Sequence, residues 1–151
     1  MSGPGRLVSR LLRRARPTPR AAPSSVISYA PKVDGRPDPG EVVWGWVPYE
    51  EDASRGKDRP VLLIGRRGPQ WLGLMLTSKD HDRDAADEAR WGRHWMDVGV
   101  GDWDHERRPS EVRLDRLIVL EEAAIRREGA ALDRAMFDAV LAAARERHRI
   151  D

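Results

Sequence analysis

The chain has 151 residues, no cysteine, 40% hydrophobic content and 27 Lys+Arg against 25 Asp+Glu, which suits one modest core with a tail. The lack of cysteine excludes disulfides, thiolate metal sites and a cysteine nucleophile, and fits a reducing cytoplasm. No stretch approaches the roughly 20 consecutive apolar residues that cross a bilayer, so no membrane association is expected.

Residues 1–39 hold eight Lys/Arg and two Asp, a net +6, together with Pro4, Pro17, Pro19, Pro23, Pro31, Pro37 and Pro39. Their few apolar residues do not offset the entropy of ordering, so the expectation is a disordered arm at 1–39 and a domain at 40–151. Leu7, Leu11 and Leu12 among Arg6, Arg10, Arg13 and Arg14 suit a short basic amphipathic helix on an anionic surface, but are too short and interrupted for a secretory signal. Residues 40–151 hold nineteen Lys/Arg and twenty-three Asp/Glu, a net −4, so any nucleic-acid binding must use a local groove.

After Gly40, the β-formers Glu41–Val47 predict a first strand, and Tyr49–Asp58 a polar loop. Val61–Ile64 is a second strand, Gly65–Pro69 a turn, and Trp71–Thr77 a third strand. The Asp- and Arg-rich stretch 79–93 suits a short exposed helix around Ala85–Arg90. Strands are expected at His94–Val98 and Glu111–Leu120. From Leu132 an apolar stripe of Leu132, Ala135, Met136, Ala139, Val140 and Ala143 predicts a terminal amphipathic helix. The fold class is therefore mainly β with α, an antiparallel meander closed by a helix.

Asp80, Asp82 and Asp84 imitate a calcium loop, but Ala85 stands at the glycine position and Trp91 at the bidentate glutamate position. His81 and His94 are too far apart for a compact metal motif, so no metal or cofactor is expected. His81 lies near Ser78 and is a proton-transfer candidate whose simpler reading is an exposed loop residue. Trp44 and Trp46 read as core; Trp91, Trp95 and Trp103 read as cover for the sheet or for a dimer seam.

Three segments carry a family resemblance: Gly40-Glu41-Val42-Val43-Trp44, Lys57-Asp58-Arg59-Pro60-Val61-Leu62-Leu63-Ile64, and Leu74-Met75-Leu76-Thr77-Ser78. In order and spacing they resemble the MazF/PemK toxins, with Val112–Leu117 similar to the family's final strand and a C-terminal helix that has a counterpart there. The chain departs from the pattern at Asp58, at Leu76 and over the long acidic stretch 79–110. The resemblance implies a small SH3-like barrel that dimerises and cuts single-stranded RNA, leaving a cyclic phosphate. It also implies an antitoxin with an acidic, flexible tail. Carried over, the catalytic positions are Arg59 and Thr77, with Ser78 beside them.

The chemistry fits these residue types. RNA supplies its own nucleophile, the 2′-hydroxyl, so an enzyme has to align the backbone, stabilise charge at phosphorus and manage two protons. A guanidinium at Arg59 presents a permanent charge and a planar fork to phosphate oxygens, and the Thr77 hydroxyl can orient an oxygen by hydrogen bonding. Arg55, Lys57 and Arg59 alternate as a candidate phosphate track, and Tyr49 or Trp46 is a candidate to stack on a base. Glu50, Glu51 and Asp52 are candidate proton carriers. The bland alternatives are a surface ion pair for Arg59 and an ordinary β-branched strand residue for Thr77.

Two other functions compete with metal-independent RNA cleavage: a CcdB-like inhibitor of a protein target, and an RNA-binding module that has lost turnover. CcdB toxins end in an apolar Trp-Gly-Ile tail, whereas this chain ends Arg147-His148-Arg149-Ile150-Asp151. Six tryptophans and the apolar helix stripe suggest a homodimer, because one small core does not readily hide them.

Overall fold

A computed structural model describes residues 25–32, 36–78 and 93–150. Its centre is an antiparallel meander of β2 (Glu41–Pro48), β3 (Gly56–Arg67) and β4 (Gln70–Ser78), the last two joined at Gly68, whose φ of 60° glycine adopts without strain. Both faces of this meander are covered, which is why Val61–Ile64 and Trp71–Leu76 are apolar without alternation. Val42, Leu62, Leu72 and Leu74 pack on one face with Phe137, Val140 and Leu141 of α1 (Arg134–Arg145). Val43, Val61, Leu63, Trp71 and Met75 face the other way and meet Ile118 and Leu120.

One strand serves two partners in turn. Trp71–Gly73 of β4 pair with β7 (Ile118–Leu120), and Leu76–Ser78 pair with β6 (Ser110–Arg113), which also pairs with β5 (Trp95–Gly99). On the far side β8 (Ile125–Ala131) pairs with β2. The strand path runs β5-β6-β4-β3-β2-β8 and no pairing joins its ends among the described residues. In place of the expected SH3-like barrel, the described residues form an antiparallel sheet that is not closed, with a C-terminal helix. No described helix is long and apolar enough to cross a membrane.

Several elements differ from the sequence expectation. The strand expected at Glu111–Leu120 is two, because Leu114–Leu117 bends out: Asp115 accepts the His94 N–H at 2.7 Å and Arg116 donates to the Pro48 carbonyl at 2.8 Å. The loop expected at Tyr49–Asp58 is shorter, since pairing with Trp46 and Val47 draws Asp58 and Lys57 into β3. The helix presents Phe137, Val140, Leu141 and Ala144 inward and leaves Ala135 and Ala139 exposed, a face turned by about one residue from the stripe expected. Phe137 and Leu141 are its largest apolar groups and decide the rotation. Trp46, read as core, is 41% exposed. The helix expected around Ala85–Arg90, and His81, lie outside the described residues.

Part of the expected arm is ordered against the sheet. β1 (Ser25–Ile27) pairs with Gly65–Arg67 of β3. Tyr29 donates its hydroxyl to the Leu132 carbonyl at 2.7 Å and packs its ring on Phe137 at 5.0 Å. A short strand and one aromatic anchor give residues 25–32 contacts that their proline- and arginine-rich setting did not advertise.

Candidate functional site

The fork between β3 and β4 makes the site. Their ladder stops at Val61–Met75; beyond it β3 stays with β2 through Pro60 to Gly56, while β4 swings to β6. Pro60 has no N–H to give to either neighbour, so it tolerates the parting. Arg59 and Thr77 lie two residues past the last pair, on the parted arms, and both border one cavity. Side chains from the fork then border two cavities.

The larger, about 350 Å³, is bordered by Trp44, Lys57, Arg59, Thr77, Ser78 and Trp103 among others. The smaller, about 290 Å³, is bordered by Tyr49, Glu50, Glu51, Arg59, Arg113 and Trp95, with Arg93 and Arg116. Arg59 alone among the described residues borders both. The smaller cavity is bordered by four guanidiniums and two carboxylates, and even with Asp115 counted against Arg113 it keeps a positive excess in a chain whose globular part is otherwise acidic.

Arg113 organises that cavity from within. It is buried, with Nη2 donating to both Glu50 oxygens at 3.0 Å and to Asp115 Oδ2 at 2.8 Å, and Nε donating to Asp115 at 3.1 Å. Burial disfavours the charged Arg113, but the bonds to Asp115 and Glu50 outweigh it and hold its pKa above the usual value. Burial likewise opposes ionised Asp115, and the bonds from Arg113 and the His94 N–H hold it below the usual carboxylate range. Both groups therefore stay ionised, and the guanidinium is fixed in one orientation.

The fork brings together Arg59, Thr77, Ser78 and Lys57 on the larger cavity and Arg59 with Tyr49 on the smaller. Thr77 is buried and Lys57 exposed. Arg55 borders neither cavity; it is exposed, with its guanidinium 5.8 Å from the centre of the Tyr49 ring. Of the three acidic loop residues, Glu50 and Glu51 reach the cavity, whereas the Asp52 carboxylate accepts the Ser54 hydroxyl at 2.6 Å and the Ser54 N–H at 3.1 Å. The sequence reading missed Arg93, Arg113 and Arg116. The spacing Arg113-Leu114-Asp115 was visible, but only the bend after β6 turns Asp115 back onto Arg113.

A family model described as the PemK-like, MazF-like toxin of type II toxin-antitoxin systems matches residues 38–147. The solved Mycobacterium tuberculosis toxin MazF-mt6 is similar over 74% of this chain and 98% of its own, at 15% identity and a TM-score of 0.46. A search of curated proteins returns no match. The CcdB-like alternative gains no support from these comparisons. Since the family match runs from the start of β2 through α1 and takes in every strand that borders the two cavities, the chain belongs to the PemK-like, MazF-like toxin family of type II toxin-antitoxin systems.

Proposed function

We propose that this toxin is a metal-independent endoribonuclease that cuts single-stranded RNA at the fork and so inhibits translation. The observation that carries the reading is Arg59, which borders both cavities and can meet a phosphate lying between them. The RNA 2′-oxygen attacks the adjacent phosphorus, the bond to the 5′-oxygen breaks, and a 2′,3′-cyclic phosphate and a 5′-hydroxyl result. Arg59 stabilises the added negative charge, and Arg113 adds a second fixed cation nearby. The Thr77 hydroxyl orients an oxygen. Glu50 or Glu51 takes the 2′-hydroxyl proton, and the departing 5′-oxygen takes a proton from solvent.

Ser78 and Lys57 hold the strand on the larger cavity, and Tyr49, with Arg55 over its ring, meets a base beyond the smaller one. The restraining partner is an antitoxin whose acidic tail competes for the four guanidiniums. The functional unit is a homodimer in the cytoplasm.

The test is cleavage of single-stranded RNA in EDTA, with the product ends identified by mass. Arg59→Ala should lower the rate by about 10²–10³, and Arg59→Lys should rescue poorly because an ammonium lacks the fork. Thr77→Ala should slow turnover more than Thr77→Ser, which keeps the hydroxyl. A folded Arg59→Ala protein that cuts at the parent rate overturns the site, and a parent that cuts no RNA overturns the activity.

A further inference from the structure

The donors of Arg113 are unevenly used. Nε gives to Asp115, and Nη2, with two hydrogens, serves three oxygens: Asp115 Oδ2 at 2.8 Å and both Glu50 oxygens at 3.0 Å. Nη1 has no partner among the described residues, in a side chain only 7% exposed that borders the smaller cavity. Glu50 thus rests on one nitrogen, whereas an anion that spanned Nη1 and Nη2 would make the two parallel bonds for which a guanidinium is shaped.

The two carboxylates on Arg113 are differently held. Asp115 is 15% exposed and also accepts the His94 N–H, so it belongs to the fold; Glu50 is 49% exposed, on the connection between β2 and β3. That connection closes on itself without Glu50. The Tyr49 N–H donates to the Arg55 carbonyl at 2.8 Å, the Arg55 N–H donates to the Asp52 carbonyl at 3.1 Å, and Ser54 donates twice to the Asp52 carboxylate. Arg116 holds its root through the Pro48 carbonyl. The Glu50 side chain can therefore turn to solvent while the loop stays in place, and Arg113 keeps Asp115 when it does.

We infer that Glu50 holds the place of an RNA phosphate on Arg113, and that a phosphodiester enters the smaller cavity by displacing it. The exchange is balanced in charge. Arg59, Arg93, Arg113 and Arg116 border the cavity with Glu50 and Glu51, Asp115 lies against Arg113, and a phosphodiester brings the single negative charge that Glu50 takes away. RNA affinity is then net of the Glu50 contact, and removing that carboxylate tightens binding. The inference rests on RNA being the ligand of the fork and adds which group must leave for it to bind.

Binding tests it without turnover, so that any part of either glutamate in proton transfer does not enter. Fluorescein-labelled 2′-fluoro hexanucleotides of mixed sequence, which lack the attacking hydroxyl, are titrated onto the full chain by anisotropy. Glu50→Gln and Glu50→Ala should bind about tenfold more tightly than the parent, the worth of one hydrogen bond to a charged group. Glu51→Gln is the control: it removes the same charge from the same cavity but no bond to Arg113, and should gain no more than about twofold. Circular dichroism confirms that each variant is folded. A folded Glu50→Gln protein that binds no more tightly than the parent overturns the inference. So does a Glu51→Gln protein that gains as much, or a hexanucleotide that binds none of these proteins. Cleavage of unmodified RNA by the parent separates the two readings. A parent that cuts nothing, while Glu50→Gln tightens binding, overturns only the nuclease reading; a parent that cuts, while the Glu50 variants leave affinity unchanged, overturns only the displacement.

Discussion

At the residue scale, the paired charges beneath the smaller cavity determine how the protein should respond to acid. Asp115 is lowered in the fold, first against the cost of burial and then by the bonds from Arg113 and the His94 N–H. A carboxyl lowered by folding stabilises the protein above its unfolded value, about 3.9, and that contribution is lost as pH falls through the lower folded value. Asp115→Asn should therefore lower the unfolding midpoint at pH 7 and flatten its decline below about pH 4, as followed by circular dichroism. Asp115→Ala should cost about 3 kcal/mol, because it leaves buried Arg113 with the half-exposed Glu50. An acid limb in Asp115→Asn as steep as the parent's would refute the linkage.

At the element scale, the contacts of residues 25–32 make a specific claim about the N-terminal segment. β1 continues the edge of β3 beyond the reach of β2, and Tyr29 ties the chain to α1 through Leu132 and Phe137. Tyr29→Phe should cost about 1 kcal/mol, the net worth of one hydrogen bond, and deletion through Lys32 should lower the thermal midpoint by more than Tyr29→Phe does. Equal midpoints for the parent and the deletion would show that the segment adds nothing to the core. The helix has its own local determinant in Asp133, whose carboxylate accepts the N–H groups of Ala135 and Met136. Asp133→Ala should cost about 1 kcal/mol by removing this cap.

At the scale of the whole molecule, the apolar surface first taken as a reason for dimerisation is largely used within the chain. The helix packs on the sheet, and Trp71 and Trp103 are buried. Among the described residues the exposed large hydrophobics are Val26, Trp46, Val100 and Val119. The proposed homodimer thus draws on the family resemblance rather than on spare apolar area. Light scattering at micromolar concentration should give twice the chain mass of 17.1 kDa, and a monomer mass that persists as concentration rises would contradict it.

The sequence by itself determined the central meander, because strands buried on both faces must be apolar and must be parted by turn residues, as Val61–Ile64 and Trp71–Leu76 are by Gly68 and Pro69. It also pointed to Arg59 and Thr77 through motif order, and both border the larger cavity. Tertiary structure alone decided what side chains do once the chain bends. The turn after β6 aims Asp115 at Arg113, the 100–109 connection carries Trp103 and Arg108 to the larger cavity, and the parting of β3 from β4 makes Arg59 common to both cavities. Periodicity reports which face a residue occupies, but contacts across bends and between strands distant in sequence depend on where the backbone travels between them, and no local pattern encodes that path.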